Sequence, residues 1–181
     1  VFTVDTIPPY IEIIAPLNDT YDTKTILVNL TNSSDAISVW FFNGTDNQTY
    51  TAPVNVEFSE GVNTLTAWAN DSMNNVNSTE VIFTVDTTPP YFVTIPPDEE
   101  NVYGETWAGV TFVAEDLLSI IDTYFVNDTT NFVINSTGYL NVTGQLAVGE
   151  YYVKVSVNDS MGNVNSTTYN LNITRSESVV Y

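Results

Sequence analysis

Three phrases occur twice in the chain, in the same order, and this repetition limits the fold more than any other feature. VFTVDTIPPYI (Val1–Ile11) returns as IFTVDTTPPYF (Ile82–Phe92), 81 residues on. ISVWFFNGT (Ile37–Thr45) returns as IDTYFVNDT (Ile121–Thr129), 84 residues on, and ANDSMNNVNST (Ala69–Thr79) returns as VNDSMGNVNST (Val157–Thr167), 88 residues on. A period of this size sets the folding unit. The growing offset places slightly longer early and middle loops in the second copy. The 181 residues therefore read as residues 7–86, one domain, and residues 87–175, a second, with a tail over 176–181. Residues 1–6 duplicate the closing strand of the first copy. They read either as the last strand of a preceding repeat or as a donor strand that pairs with a neighbouring molecule.

Within each copy the apolar residues alternate. Ile26, Val28 and Leu30 match Val110, Phe112 and Ala114; Leu65, Ala67 and Ala69 match Val153, Val155 and Val157. Val81, Phe83 and Val85 match Tyr169, Leu171 and Ile173. Period two in residues rich in Val, Ile, Thr and Tyr predicts half-buried strands, and no stretch sustains a helical period. Short strands broken by Asn, Asp, Gly and Pro clusters predict an all-β sandwich of about seven strands in each copy. Proline cannot donate to a sheet ladder, so Val81–Asp86 reads as a closing strand, Thr87–Pro90 as a short Pro-rich linker, and Tyr91–Ile95 as the next opening strand.

FTVDTTPP at the end of a sandwich and NDSMGNVNST before its last strand resemble the tandem bacterial and archaeal immunoglobulin-like (Big-type) repeats of adhesins, S-layer proteins and other surface proteins. The resemblance covers nearly the whole chain. It implies two tandem immunoglobulin-like β-sandwich domains that serve as spacers or binders. It also implies that calcium could stiffen the joint between domains. Asp86 stands at that joint, with Asp71, Glu115, Asp116 and Asp159 as further candidate ligands. Without the resemblance, Asp71 and Asp159, both in the repeated NDS phrase, read as turn-stabilising carboxylates. Calcium needs six to eight oxygens, and no stretch has the spacing of a dedicated loop. Asp98, Glu99 and Glu100 read as a solvated acidic loop.

Composition excludes several functions. There is no Cys and no His, which removes disulfides, thiolate metal sites, and Ser-His or Cys-His catalysis. The net charge of −19 comes from 22 acidic residues against 3 basic ones. Nucleic acid and anionic membrane surfaces would repel such a chain. No apolar run approaches the ~18 residues of a membrane-spanning helix, so membrane insertion is not expected in this segment. Carboxylate pairs can hydrolyse sugars, but no pattern sets two of them across a cleft, so the chain does not read as an enzyme. Lys24 and Lys154 have no counterpart in the other copy, which argues against a repeated isopeptide crosslink, and Lys154 lies between inward Val153 and Val155.

The strongest chemical signal is the N-glycosylation acceptor N-x-S/T. It occurs at Asn18, Asn29, Asn32, Asn43, Asn47, Asn70, Asn77, Asn127, Asn135, Asn141, Asn158, Asn165 and Asn172, which is 13 of the 21 asparagines. With 39 Ser and Thr in the chain, chance would supply roughly four or five such acceptors. Strand parity turns Asn29 and Asn172 outward, where a glycan can stand. Covalent N-glycans predict an extracellular, cell-surface protein. Together with few bases and no Cys, they point to an archaeal surface. Trp40 aligns with Tyr124 and reads as core or intersheet packing rather than a ligand platform. Trp68 is expected to be partly exposed, as a contact for a neighbouring domain or subunit.

The expected function is a structural module of an S-layer, sheath, filament or stalk, associating with itself or with neighbouring repeats. The alternatives are an adhesin that binds a glycan or protein through sandwich-end loops, and a spacer of a larger secreted enzyme.

Overall fold

The computed structural model describes residues 4–176. It is all-β and divides into two compact units, Val1–Thr87 and Thr88–Tyr181. The first unit holds β1 (Ile11–Ala15), β2 (Thr20–Tyr21), β3 (Thr25–Asn32), β4 (Ser38–Phe42), β5 (Asn47–Thr49), β6 (Val54–Glu57), β7 (Gly61–Asn70) and β8 (Val76–Val85). They form a three-stranded sheet, β1-β3-β6, and a five-stranded sheet, β2-β8-β7-β4-β5. The alternating residues meet between the sheets. Val28, Phe41, Leu65, Ala67, Ala69 and Val85 are fully buried there, and Phe58 meets Phe83 edge-on at 4.9 Å between ring centroids. In a close-packed core the loss of even one methylene is felt.

The second unit holds β9 (Tyr91–Thr94), β10 (Glu99–Val102), β11 (Val110–Thr111), β12 (Val113–Glu115), β13 (Ile121–Val126), β14 (Phe132–Ile134), β15 (Tyr139–Val142), β16 (Gly149–Asp159) and β17 (Val164–Thr174). One sheet is β10-β17-β16-β13; facing roles fall to β11-β15-β14 and the pair β12-β9. Phe112, Phe132, Leu140, Val155, Tyr169 and Leu171 centre its core. Phe112 packs edge-on against Tyr169 at 5.9 Å.

The strand count exceeds the expected seven for two physical reasons. In each unit a short extra strand pairs in parallel with the closing strand: Thr20–Tyr21 with Thr84–Val85, and Glu99–Val102 with Leu171–Thr174. In the second unit the counterpart of β3 is also divided at Phe112: before it the strand pairs with β15, a register that the bond from Phe112 N–H to the Gly138 carbonyl (2.9 Å) extends, and after it the strand pairs with β9. The closing strand of the first unit begins at Val76 rather than Val81. Residues 4–10 form no strand, and Val1–Thr3 lie outside the described residues, as does most of the 176–181 tail.

One aligned pair is corrected by a residue. Val39 pairs with Ala69 and is buried, whereas Tyr124 pairs with Val157 and is buried, so Tyr124 stands where Val39 stands, not where Trp40 does. The register slips between Ile121 and Thr123. An irregularity of that kind adds a residue to one strand and flips every later side chain relative to an ungapped alignment. Phe41 and Val126 are accordingly the matching core residues, and Phe125 is the counterpart of Trp40.

Each unit also ties down the backbone N–H of a buried strand residue with a tyrosine hydroxyl. The N–H of Leu30 donates to Tyr50 (3.0 Å), and that of Ala114 donates to Tyr124 (2.8 Å). Leu30 and Ala114 are equivalent, but the tyrosines come from different strands. A buried backbone donor needs an acceptor, and either strand can supply it.

Candidate functional site

The repeated NDSM phrases close the two longest hairpins. Asp71 follows β7 and is 3 % exposed; Asp159 ends β16 and is 1 % exposed. Oδ1 of Asp71 accepts from the N–H groups of Met73 and Asn75, both at 2.9 Å, and Oδ2 accepts from Asn75 Nδ2 at 2.7 Å. Asp159 repeats this with Met161 and Asn163 (2.9 Å each) and Asn163 Nδ2 (3.0 Å). The turn passes through the left-handed region at Asn74 (φ 67°) or Gly162 (φ 87°), a conformation that Asn and Gly tolerate best.

The side-chain amide of Asn75, with the backbone bonds behind it, holds the Asp71 carboxyl below its ordinary value against the opposing effect of desolvation. A folded-state pKa below the unfolded one means that this contribution is fully present above the unfolded value, 3.8. It is lost as pH falls through the lower folded value. Asn75→Ala, which removes the largest cause, is expected to flatten the acid limb of first-unit stability below about pH 4. Urea unfolding at stepped pH reads this directly.

The five candidate calcium ligands differ in burial and in hydrogen-bond partners. Asp71 is committed to its turn. Asp86 is buried at the end of β8, with its N–H on the Tyr21 carbonyl (2.9 Å). In the second unit, Asp116 and Asp159 each offer a carboxylate oxygen within 4.8 Å of the other. Asp116 Oδ1 already accepts the N–H groups of Leu118 (2.8 Å) and Ser119 (2.9 Å). Glu115 is exposed and accepts the Tyr91 hydroxyl at 3.1 Å.

None of the thirteen acceptor asparagines is buried. Their amides fall into distinct settings. At Asn43, Asn127 and Asn135 the carbonyl oxygen is anchored by backbone N–H groups, from Thr45 and Asp46, from Lys154, and from Thr137 and Tyr139. An anchored oxygen directs Nδ2 away from the turn. Asn18, Asn32 and Asn47 are exposed. Asn29, outward in β3, accepts the Tyr50 hydroxyl at 3.1 Å. Asn158 Nδ2 reaches Asp122 (3.3 Å), Asn141 Nδ2 reaches the Tyr139 hydroxyl (3.1 Å), and Asn172 Nδ2 reaches Glu100 (3.1 Å).

Asn77 and Asn165 have a role that the acceptor motif hides. Asn77 Nδ2 donates to the Pro9 carbonyl at 3.0 Å, and Asn165 Nδ2 donates to the Pro90 carbonyl at 2.8 Å. The two repeated phrases, PPY and NVNST, are thus bonded to each other in both units. Their joint recurrence was the available signal. Asn75 adds a bond from Nδ2 to the Asp5 carbonyl (3.1 Å).

The outward face of the five-stranded sheet carries an aromatic group. Trp40 and Trp68 are cross-strand partners with nearly parallel rings, 10° apart and 6.2 Å between centroids. Both are half-buried, and Phe42 follows on the same face. Trp40 is therefore outside the core, and Phe41 fills the inward position. Of the two lysines, Lys24 pairs with Glu60 at 3.4 Å, and Lys154 is exposed. At one end of the second unit, a cavity of 410 Å³ lies between Tyr103, Glu105, Trp107, Asn141 and Gln145.

Among the described residues no helix is long and apolar enough to cross a membrane. No protein-family model matches the chain, and no curated protein matches it. Solved structures do. The chain is similar to the human desmocollin-1 ectodomain at 14 % identity, covering 96 % of this chain and 43 % of that one, with a TM-score of 0.50. It is similar to Drosophila N-cadherin EC1-4 at 17 % identity, covering 92 % and 49 %, with a TM-score of 0.45. It is also similar to the fibronectin(III)-like modules of Clostridium thermocellum CbhA at 15 % identity, covering 95 % and 99 %, with a TM-score of 0.41. The chain spans about half the length of the two cadherin-type ectodomains. At these identities the likeness speaks to architecture alone, and the chain is an all-β protein of immunoglobulin-like β-sandwiches.

Proposed function

We propose that this chain is a structural module of a heavily N-glycosylated extracellular surface protein, such as an S-layer, sheath, filament or stalk. The observation that carries this reading is the placement of the thirteen acceptor asparagines, none of them buried. Several stand where carbohydrate would serve the fold. Asn47 lies in β5, an edge strand of its sheet, Asn127 directly follows the edge strand β13, and Asn135 directly follows the edge strand β14. An uncovered edge is a template for unwanted pairing, and a bulky hydrated substituent beside it blocks that pairing. The charge of −19 adds repulsion between copies. Subunits would join through neighbouring repeats or through a donated amino-terminal strand.

The test is glycopeptide mass spectrometry on protein from its native cells, with surface labelling of intact cells. The expected result is carbohydrate on most of the thirteen acceptors and labelling without permeabilisation. Bare asparagines on an internal protein would overturn the proposal. The second reading, an adhesin, is favoured by the cavity at Tyr103, Trp107 and Gln145, where an aromatic ring and amides could grip a sugar or peptide. Saturable binding abolished by Tyr103→Ala would select it.

A further inference from the structure

We propose that Asn70 carries a glycan whose first sugar ring packs on Trp68, making the Trp40–Trp68 pair a built-in seat for the protein's own carbohydrate. The proposal rests on the glycosylation reading above and assigns one site to it.

Strand register sets the geometry. Trp68 and Asn70 both face outward on β7, two residues apart, and same-face neighbours on a strand stand about 6.7 Å apart. Ser38, opposite Asn70, and Trp40, opposite Trp68, continue the same face on β4. The amide of Asn70 is oriented. Its Oδ1 is buried without a hydrogen-bond partner, while Nδ2 lies on the exposed side, 3.3 Å from Asn74 Oδ1. Nδ2 is the atom that takes the sugar, in the acceptor Asn70-Asp71-Ser72. A ring attached there starts on the face of β7 that carries Trp68, two residues along the strand.

The chemistry of the face suits a neutral sugar. One side of a pyranose presents C–H groups of partial positive character, and the face of an aromatic ring is electron-rich. Trp40 and Trp68 are stacked, 10° from parallel and 6.2 Å between centroids, which holds the Trp68 ring in one orientation for such a contact. Around them stand Ser78, Thr49 and Thr66, hydroxyl side chains that can bond to sugar hydroxyls. The charged residue of this cluster is Glu80, opposite Thr66.

The second unit supplies an internal control. Asn158, the counterpart of Asn70, has Ser156 two residues before it, not tryptophan. Ser156 is opposite Phe125, so the paired indoles are absent there.

The test uses the full chain secreted from a host that attaches N-glycans with an N-acetylhexosamine core. Wild type, Trp68→Ser (the residue of the second unit) and Trp68→Tyr are compared by site-resolved occupancy and by melting before and after enzymatic glycan removal. Occupancy at Asn70 is expected to fall about threefold in Trp68→Ser and to be restored in Trp68→Tyr, with Asn158 unchanged. Glycan removal is expected to lower the first-unit midpoint by about 4 °C in wild type and by much less in Trp68→Ser. Asn70 bare while other acceptors are occupied would overturn this assignment and leave the general reading standing. So would identical occupancy and melting in wild type and Trp68→Ser. Thirteen bare asparagines would end both.

Discussion

Asp159→Ala is expected to lower the melting midpoint of the second unit by about 10–15 °C, corresponding to about 3 kcal/mol. The carboxylate is 1 % exposed and takes three hydrogen bonds at 2.9, 2.9 and 3.0 Å. Alanine removes the acceptor and leaves two backbone N–H groups and an amide with nothing in place of it. Hydrogen bonds to charged groups carry more than neutral ones, and unmet donors cost their desolvation. The hairpin it closes is the central pair of its sheet, with β16 and β17 matched over ten residue pairs. Differential scanning calorimetry measures the effect. A shift under about 3 °C would show that water substitutes for the carboxylate and that the repeated Asp is not a stability element.

The second large effect is expected at Gly138. It has φ +78°, and a Cβ there would stand 2.1 Å from the Phe112 carbonyl oxygen and 3.1 Å from its carbon. Those contacts are backbone, fixed by the bond from Phe112 N–H to Gly138 O. Gly138→Ala must therefore break the close approach of two strands as well as accept an unfavourable φ, at a cost of about 4 kcal/mol. Gly162→Ala separates the two contributions. Its φ is +87°, but a Cβ there meets nothing within 4 Å, so about 1 kcal/mol is expected. Urea midpoints of the two variants should differ clearly. Equal midpoints would mean that the strands at Phe112 and Gly138 separate without penalty.

Much of the fold was legible because a repeat reports itself twice. The inward sets Ile26-Val28-Leu30 and Val153-Val155-Val157 are buried as their alternation requires. The limits fell where period two stops being informative. Trp40, Phe41 and Phe42 are consecutive aromatics, so alternation alone cannot choose which ring is inside, and the choice fell on Phe41. The slip between Ile121 and Thr123 leaves no composition signature, and it displaced the Trp40–Tyr124 match. The break of β11 from β12 falls where the partner changes from β15 to β9, strands far apart in the chain, so local alternation carries no sign of it. Of the candidate site residues, Asp71 and Asp159 behave as their turn chemistry predicts. Asn77 and Asn165 were readable only as acceptors, because an amide holding a proline carbonyl and an amide awaiting a sugar are written with the same letters.

The short parallel strands β2 and β10 have a mechanical consequence. In each unit the strand near the amino-terminal side runs alongside the closing strand in the same direction. Tension applied at the two chain ends would drag these partners past each other, so their bonds must give way together rather than one after another. The second unit engages four residue pairs in this way and the first engages two. A tug on the chain would thus meet a locked seam in both sandwiches, with the stouter one after Pro90.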